Sequence, residues 1–179
     1  RVSALPLQDA VDVEVYGAKA VGLGAALRAG LPVPPGLGLA ASLVERLASG
    51  DEDAWRAVAP ALAELASAPT AVRSSGIGEA AARAALARVW SSATSESAMR
   101  YRAKLGIEGA PKLGVVIQRC VAADVAGVMF TRCPVSGDDV RVIEASWGLG
   151  ESVVAGLVAP DAFRLERGGR VLERSPGEK

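Results

Sequence analysis

The sequence contains no histidine and only two cysteines, Cys120 and Cys133. A chain without histidine and with two thiols offers no plausible ligand set for a structural zinc cluster. The same absence places histidine acid–base chemistry, and any histidine phosphocarrier, outside this chain. A disulfide is possible in principle, but thiols stay reduced in the cytosol, so we interpret both cysteines as small buried apolar residues.

Aromatic residues and net charge are also scarce. Aromatic residues make up 4% of the 179 residues while half of the chain is hydrophobic, so the core must consist mainly of Ala, Val and Leu. The 20 basic and 20 acidic residues cancel, and no run of like charge predicts a surface for nucleic acid or membrane. No apolar run approaches the length of a membrane span and no secretory signal opens the sequence, so we expect a cytoplasmic protein.

The most distinctive stretch is Val140–Asp161, which reads VRVIEASWGLGESVVAGLVAPD. Its first part, Val140–Ser146, alternates as a strand does. Trp147–Gly150 contains two glycines one residue apart, where the backbone can turn sharply. Glu151–Leu157 resumes helical spacing, with apolar side chains on one side of the predicted helix. These side chains are Val153, Val154 and Leu157. On geometry alone the unit is an ordinary strand-to-helix connection.

A second glycine-rich stretch, Gly17–Gly24, opens a helix that is predicted to reach Ala29. The segment before it, Val11–Tyr16, alternates and predicts a short strand or an extended lead-in. Free backbone N–H groups at a helix start favour anions, and Lys19 would add a positive charge. The pattern is not a Walker A motif, and an ordinary helix start would have the same appearance.

Prolines then separate this helix from the next elements. Pro32, Pro34 and Pro35 favour an extended connection. A strand over residues 36–41 follows, and then a helix to Ala48 that Ser42 caps, with Glu45 completing a capping box.

The segment 51–68 has helical spacing with one apolar face, formed by Trp55, Val58, Leu62 and Leu65. We interpret this face as core packing. A short strand over residues 70–72 follows it and leads into Arg73, Ser74 and Ser75. A guanidinium binds phosphate oxygens in a fork, so an arginine followed by two hydroxyls predicts an anion site. A surface turn could carry the same residues.

The remainder of the chain predicts two helices and then mostly strands. The helices cover residues 82–92 and a segment capped by Ser95. Residues 112–121 are predicted to form a central strand and residues 127–131 a second buried strand. A turn over residues 134–138 joins the latter antiparallel to the strand at Val140. Residues 163–166 and 170–172 predict a hairpin around Gly168 and Gly169.

Five motifs, in order, resemble the ATP-binding domain of phosphoenolpyruvate synthase, pyruvate phosphate dikinase and rifampicin phosphotransferase. They are GAK followed by LPVPPG in residues 17–36, AVRSS in 71–75, VWSS with YR in 89–102, AGVMFT with SG in 126–137, and EASWGLGES in 144–152.

The resemblance implies a set of site residues. Lys19 and Arg73 would contact the ATP phosphates and act in catalysis, Gln118 would contact the nucleotide, and Arg119, Cys120 and Val121 would line the base. Glu144, the acid before the tryptophan motif, would be a further nucleotide-binding residue. Mg²⁺ would bridge the phosphate oxygens, but its ligands cannot be assigned to residues of this sequence. A polar residue at a strand end is also common in proteins that bind no nucleotide.

The resemblance also implies an α+β fold, an ATP-grasp-like nucleotide-binding domain over residues 1–179, with a helix-rich part at 1–110 and a strand-rich part at 111–179. We expect this domain to be incomplete. The helix after Lys19 and a sheet containing residues 113–121 and 126–131 would enclose a cleft. After Glu79 the sequence lacks the stretch that closes over the phosphates in the family, so this lid is either deleted or not represented.

The function implied is ATP-dependent phosphotransfer of the dikinase type. A phosphoryl group would pass from ATP to a histidine on a swivelling domain and then to pyruvate on a substrate domain, in the same gene product or in a separate chain. This chain alone would be inactive. The alternatives are a rifampicin phosphotransferase-like kinase and a degenerate nucleotide-binding module without transfer activity.

Overall fold

A computed structural model describes residues 3–67, 79–107 and 112–177. Arg73 and the predicted strand before it lie outside these residues. The chain divides into two compact units, Arg1–Cys120 and Val121–Lys179. The secondary structure is a mixture of helices and antiparallel sheets, which confirms the α+β class.

The first unit contains a three-stranded antiparallel sheet in the order β1-β2-β3. The strands are β1 (Ala4–Pro6), β2 (Gly36–Leu39) and β3 (Val115–Gln118). A 3-10 turn at Leu7–Asp9 follows β1, and the helices are α1 (Val13–Arg28), α2 (Ala41–Ala48), α3 (Glu52–Ser67), α4 (Glu79–Ala93) and α5 (Glu96–Lys104).

The core of the first unit lies where α1, α2, α3 and α4 meet the sheet. Trp55, Val58 and Leu62 are buried on α3, so the predicted apolar face of this helix is confirmed. The buried indole N–H of Trp55 donates to the carbonyl oxygen of Leu47 at 3.1 Å, which satisfies the one polar atom of this side chain.

Helix α1 begins earlier than its sequence pattern indicates. The side chain of Asp12 accepts hydrogen bonds from the N–H groups of Glu14 (2.9 Å) and Val15 (3.3 Å) and so caps the helix. The prediction of an extended segment at Val11–Tyr16 is therefore wrong from Val13 onward. An aspartate that satisfies two free N–H groups stabilises a helical turn, and this local effect outweighs the alternating pattern.

Two other predicted caps have opposite outcomes. Ser95 caps α5, since its hydroxyl accepts from the N–H of Ala98 at 3.3 Å. Ser42 does not cap α2, because that helix already begins at Ala41, after Ala40, and no side chain caps it. A residue inside the helix does not have the extended backbone that a capping residue needs.

Helix α4 starts at Glu79 and passes through Ala82 without interruption. The helix predicted for residues 82–92 is thus confirmed and is three residues longer at its start. This continuity follows from the sequence itself, in which Ala80 and Ala81 join Glu79 to Ala82, so the interpretation of the absent lid stays a prediction.

The second unit is a four-stranded antiparallel sheet in the order β4-β5-β6-β7. Its strands are β4 (Val125–Phe130), β5 (Arg141–Trp147), β6 (Asp161–Leu165) and β7 (Val171–Ser175), with the short helix α6 (Glu151–Val154) after β5. The turn between β4 and β5 and the hairpin of β6 and β7 confirm the predicted strand pairings.

Four predictions about these strands and helices are wrong. Strand β3 lies at an edge of the described sheet rather than at its centre, and β3 and β4 belong to different sheets. Strand β4 is exposed or half-buried along its length. Helix α6 has only four residues, and of its predicted apolar side Val153 is buried whereas Val154 and Leu157 are exposed.

The cysteines also differ from one another. Cys133 is buried as predicted, but Cys120 is exposed. Within the described ranges, no helix has the length and apolar character needed to cross a membrane.

Candidate functional site

Gly17 interrupts helix α1 just before Lys19. Its φ of 80° and ψ of 156° lie outside the helical region, in a conformation that is essentially restricted to glycine. The helix resumes at Ala18, and Lys19 follows with an exposed side chain. No described residue forms a hydrogen bond or an ion pair with the Lys19 ammonium group, so it can bind an anion.

The backbone of Gly114 packs directly against this interruption. A Cβ atom on Gly114 would lie 2.0 Å from the carbonyl oxygen of Tyr16 and 3.0 Å from the nitrogen of Gly17. The first distance is far below contact distance and the second is tight, so only glycine fits at position 114. Strand β3 begins one residue later, at Val115. The start of β3 therefore lies against the turn that precedes Lys19.

The other end of β3 is fixed to the proline segment. The side-chain N–H of Gln118 donates to the carbonyl oxygen of Pro34 at 2.8 Å. The backbone N–H of Arg119 donates to the carbonyl oxygen of Pro35 at 2.9 Å. The Arg119 guanidinium also donates to the carbonyl oxygen of Leu65 at 3.3 Å. These bonds fix the strand end but leave the amide oxygen of Gln118 as a potential acceptor.

A cavity of about 200 Å³ lies between α4 and β3. Its lining residues are Ala82, Ala85, Leu86, Val89, Val115, Val116, Ile117 and Gln118. Gln118 is the one polar side chain in this set. The volume is below the roughly 300–1,000 Å³ of sites for drug-sized ligands, so the cavity has room only for a smaller group, and its walls are mainly apolar.

The remaining predicted residues follow in chain order. Cys120 and Val121 are exposed at the connection where the first unit ends and the second begins. Glu144 is half-buried on β5, where Val128 of β4 and Ala162 of β6 are its direct partners in the sheet.

The structure thus links the Lys19 turn to Gln118 and Arg119 through one strand. It does not test Arg73, and it describes Glu144 only within the second unit. Gly114 was not among the predicted site residues; its signal is a glycine directly before the apolar run of β3. The described residues contain no group of three or more His, Cys, Asp or Glu residues that could hold a metal ion.

Comparison with known proteins gives a match over residues 82–179 to the family described as pyruvate phosphate dikinase, AMP/ATP-binding domain. The match includes the β3 end and Glu144 but begins after Lys19 and Arg73.

Individual relatives agree with this match. A probable phosphoenolpyruvate synthase of Methanothermobacter thermautotrophicus is 44% identical over 94 residues, which are 51% of this chain and 14% of the relative. A rifampicin phosphotransferase of Streptomyces sviceus is 39% identical over 105 residues, 58% of this chain and 12% of the relative. The phosphoenolpyruvate synthase of Pyrococcus furiosus is 43% identical over 83 residues, 45% of this chain and 10% of the relative. The chain therefore spans only a small part of the length of these relatives.

Proposed function

The chain belongs to the family of pyruvate phosphate dikinase AMP/ATP-binding domains, and from this premise we propose that it binds ATP as an ATP-grasp-like domain of a larger phosphotransferase. The domain would comprise residues 1–179, and cytoplasmic location stays a prediction. Relatives far longer than the matched segment support the presence of further domains in such an enzyme.

Strand β3 is the observation that carries this proposal. Its start touches the Gly17 turn that precedes Lys19, and its end carries Gln118 and Arg119. At roughly 3.3 Å per residue, Val115 and Gln118 are about 10 Å apart. A proposed phosphate contact and a proposed base contact thus lie near opposite ends of one short strand, as an extended nucleotide requires.

The residues at both ends have suitable chemistry. The Lys19 ammonium group is exposed and would neutralise phosphate charge as a mobile point charge. The apolar walls of the cavity beside Gln118 would suit the face of a base. The assignment of Arg119, Cys120 and Val121 to the base rests on the resemblance. Arg73, as a second phosphate contact and catalytic residue, and Glu144, as a nucleotide contact, rest on the resemblance alone.

The reaction proposed is phosphoryl transfer to a histidine. Because the sequence contains no histidine, the acceptor would lie on a separate domain, from which the phosphoryl group would pass to pyruvate. Bound Mg-ATP would supply the phosphoryl group. The contribution of this chain would be to position the polyphosphate and neutralise its charge, which is the main catalytic requirement of phosphoryl transfer.

Two alternatives have specific support. The similarity to a rifampicin phosphotransferase favours a different final acceptor. The absence from this sequence of the family's lid after Glu79 favours a nucleotide-binding module that has lost transfer activity. The main proposal and the rifampicin phosphotransferase-like alternative both require ATP binding. The module without transfer activity would also bind a nucleotide.

Calorimetric titration of the full-length protein with Mg-ATP tests the proposal. Arg73→Ala is expected to weaken binding by about 1.5–3 kcal/mol, the usual range for a hydrogen bond to a charged group. Lys19→Ala should weaken it less, because a flexible ammonium group makes a contact that depends less on geometry. Arg56→Ala is the matched surface control, since Arg56 is exposed on α3 and pairs only with neighbouring Asp53 in the described structure.

Parent-like affinity in both Arg73→Ala and Lys19→Ala would contradict the assignment of the phosphate contacts. Absence of Mg-ATP binding by the parent protein would contradict the proposed function itself.

A further inference from the structure

We propose that Gly114 is a positioning residue for Lys19: its bare backbone holds the Gly17 turn in the conformation that directs Lys19 toward the phosphates. The inference rests on the proposed function, because it concerns the same ATP contact. Nothing in the family match covers Lys19, whereas Gly114 lies inside the matched residues 82–179.

The turn at Gly17 needs external support because its conformation is uncommon. A φ of 80° with a ψ of 156° lies outside the helical region within α1 and is costly for any residue with a side chain. The position of Lys19 depends on this turn, since it is the second residue after Gly17. A small change at Gly17 would therefore redirect the first turn of the resumed helix.

Gly114 supplies the support through backbone contact. Its Cα lies 3.8 Å from the position that a Cβ on Gly17 would occupy, and a Cβ on Gly114 itself would lie 2.3 Å from the carbonyl carbon of Tyr16. The two backbone segments are therefore already at van der Waals distance. No side chain larger than hydrogen fits between them without displacing one segment.

Neither Gly114 nor Tyr16 can withdraw easily. Gly114 is flanked by Leu113, which packs partly buried against the core, and by Val115, which is buried. Tyr16 is also buried, and its ring lies near Gly38 of β2. Because both sides are held by close-packed core residues, the displacement caused by a Cβ at position 114 would pass to Gly17 and Lys19.

A double-mutant cycle on Mg-ATP affinity separates positioning from a general structural effect. The full-length parent, Gly114→Ala, Lys19→Ala and the double variant are titrated by calorimetry, and their thermal unfolding is recorded in parallel. We expect each single variant to raise the Kd about tenfold, the loss of one charged contact. The double variant should bind Mg-ATP no more weakly than whichever single variant has the higher Kd, because both changes remove the same contact.

Gly22→Ala is the matched control on α1. A Cβ there has no atom within 4 Å, so the Mg-ATP affinity should equal that of the parent. If Gly114→Ala does not fold, Gly17→Ala decides the question, because its Cβ has nothing closer than 3.8 Å and the change strains only the turn. Gly17→Ala should then raise the Kd about tenfold, again without a further effect in the Lys19→Ala background.

The inference is overturned if Lys19→Ala weakens ATP binding while Gly114→Ala and Gly17→Ala keep the parent affinity. It is also overturned if the Kd of a double variant rises by the product of the two single-variant increases. Such independence from Lys19 is what a general structural effect would produce. A parent that binds Mg-ATP with no loss in Lys19→Ala would instead overturn the role of Lys19 in the proposed function, and the inference with it.

Discussion

At the scale of single residues, Asp51 shows how a helix cap and a charge act together. The N–H of Ala54 bonds the Asp51 carboxylate, and the neighbouring Arg46 adds a second hydrogen bond; both lower the pKa of Asp51. A carboxylate whose pKa is lowered by folding contributes stability above its unfolded pKa, and this contribution is lost as the pH falls through the folded pKa.

Asp51→Asn should therefore lower the unfolding midpoint at neutral pH and have little effect once the pH is below the lowered pKa of Asp51. Asparagine keeps the oxygen that accepts the capping bond, so the variant isolates the charge. Thermal unfolding across pH measures the difference. Asp53→Asn is the control, because its ion pair with Arg56 is 77% exposed on both sides and surface pairs contribute little. A difference between Asp51→Asn and the parent that does not depend on pH would contradict the account.

Cys133 gives a second prediction at this scale. The side chain of Ser136, and then the backbone N–H groups of Ser136 and Val135, lower the pKa of the Cys133 thiol. Ser136→Ala should therefore shift the pH midpoint of Cys133 alkylation upward, because the thiolate is the reacting form. Iodoacetamide labelling of the native protein, read by mass spectrometry, measures this midpoint, with the exposed Cys120 as internal reference. An unchanged midpoint at Cys133 would contradict the assigned cause.

At the scale of elements, α1 contains two glycines with opposite surroundings. A Cβ on Gly22 meets nothing within 4 Å, whereas one on Gly24 would lie 2.3 Å from the carbonyl oxygen of Leu7. Gly22→Ala should stabilise the protein by about 0.5–1 kcal/mol, because alanine loses less backbone entropy in a helix. Gly24→Ala should destabilise it by about 1–3 kcal/mol, the usual cost of overpacking. Urea unfolding measures both changes, and equal effects would show that packing around α1 is assigned incorrectly.

Local signals in the sequence predicted several elements well. The apolar spacing on α3, the Ser95 cap of α5 and the glycine turn between β6 and β7 all depend on residues close together in the chain. Predictions that needed distant partners were weaker. The apolar runs of β3 and β4 were expected in one sheet, yet β3 pairs with β2, far earlier in the chain. Periodicity identifies a strand but not its partner.

The candidate site shows the same limit. Lys19 and Gln118 could be named from the sequence because motif resemblance marks them individually. Their connection through β3 could not, since the contact between Gly114 and the Gly17 turn joins residues almost one hundred positions apart. The capping of α1 by Asp12 is a local signal that the sequence-based prediction did not use, because that prediction followed the alternating pattern of Val11–Tyr16.

At the scale of the whole molecule, the two units differ in how much side chain they bury. The first unit contains the large described core, whereas Cys133 and Val153 are the buried hydrophobic side chains among the described residues of the second. Amides of β4 to β7 should therefore exchange faster than those at Leu39 and Val44, because little buried apolar area opposes their opening. Hydrogen exchange read by mass spectrometry measures this, and equal protection in both units would contradict it.

Binding of ATP along β3 can be measured by hydrogen exchange of the full-length protein with and without saturating Mg-ATP. We expect slower exchange in the peptides that carry Lys19 and Gln118, and no change in α5, which has no buried residue and no proposed contact. Unchanged exchange at both peptides under saturating nucleotide, or protection confined to α5, would contradict binding along β3.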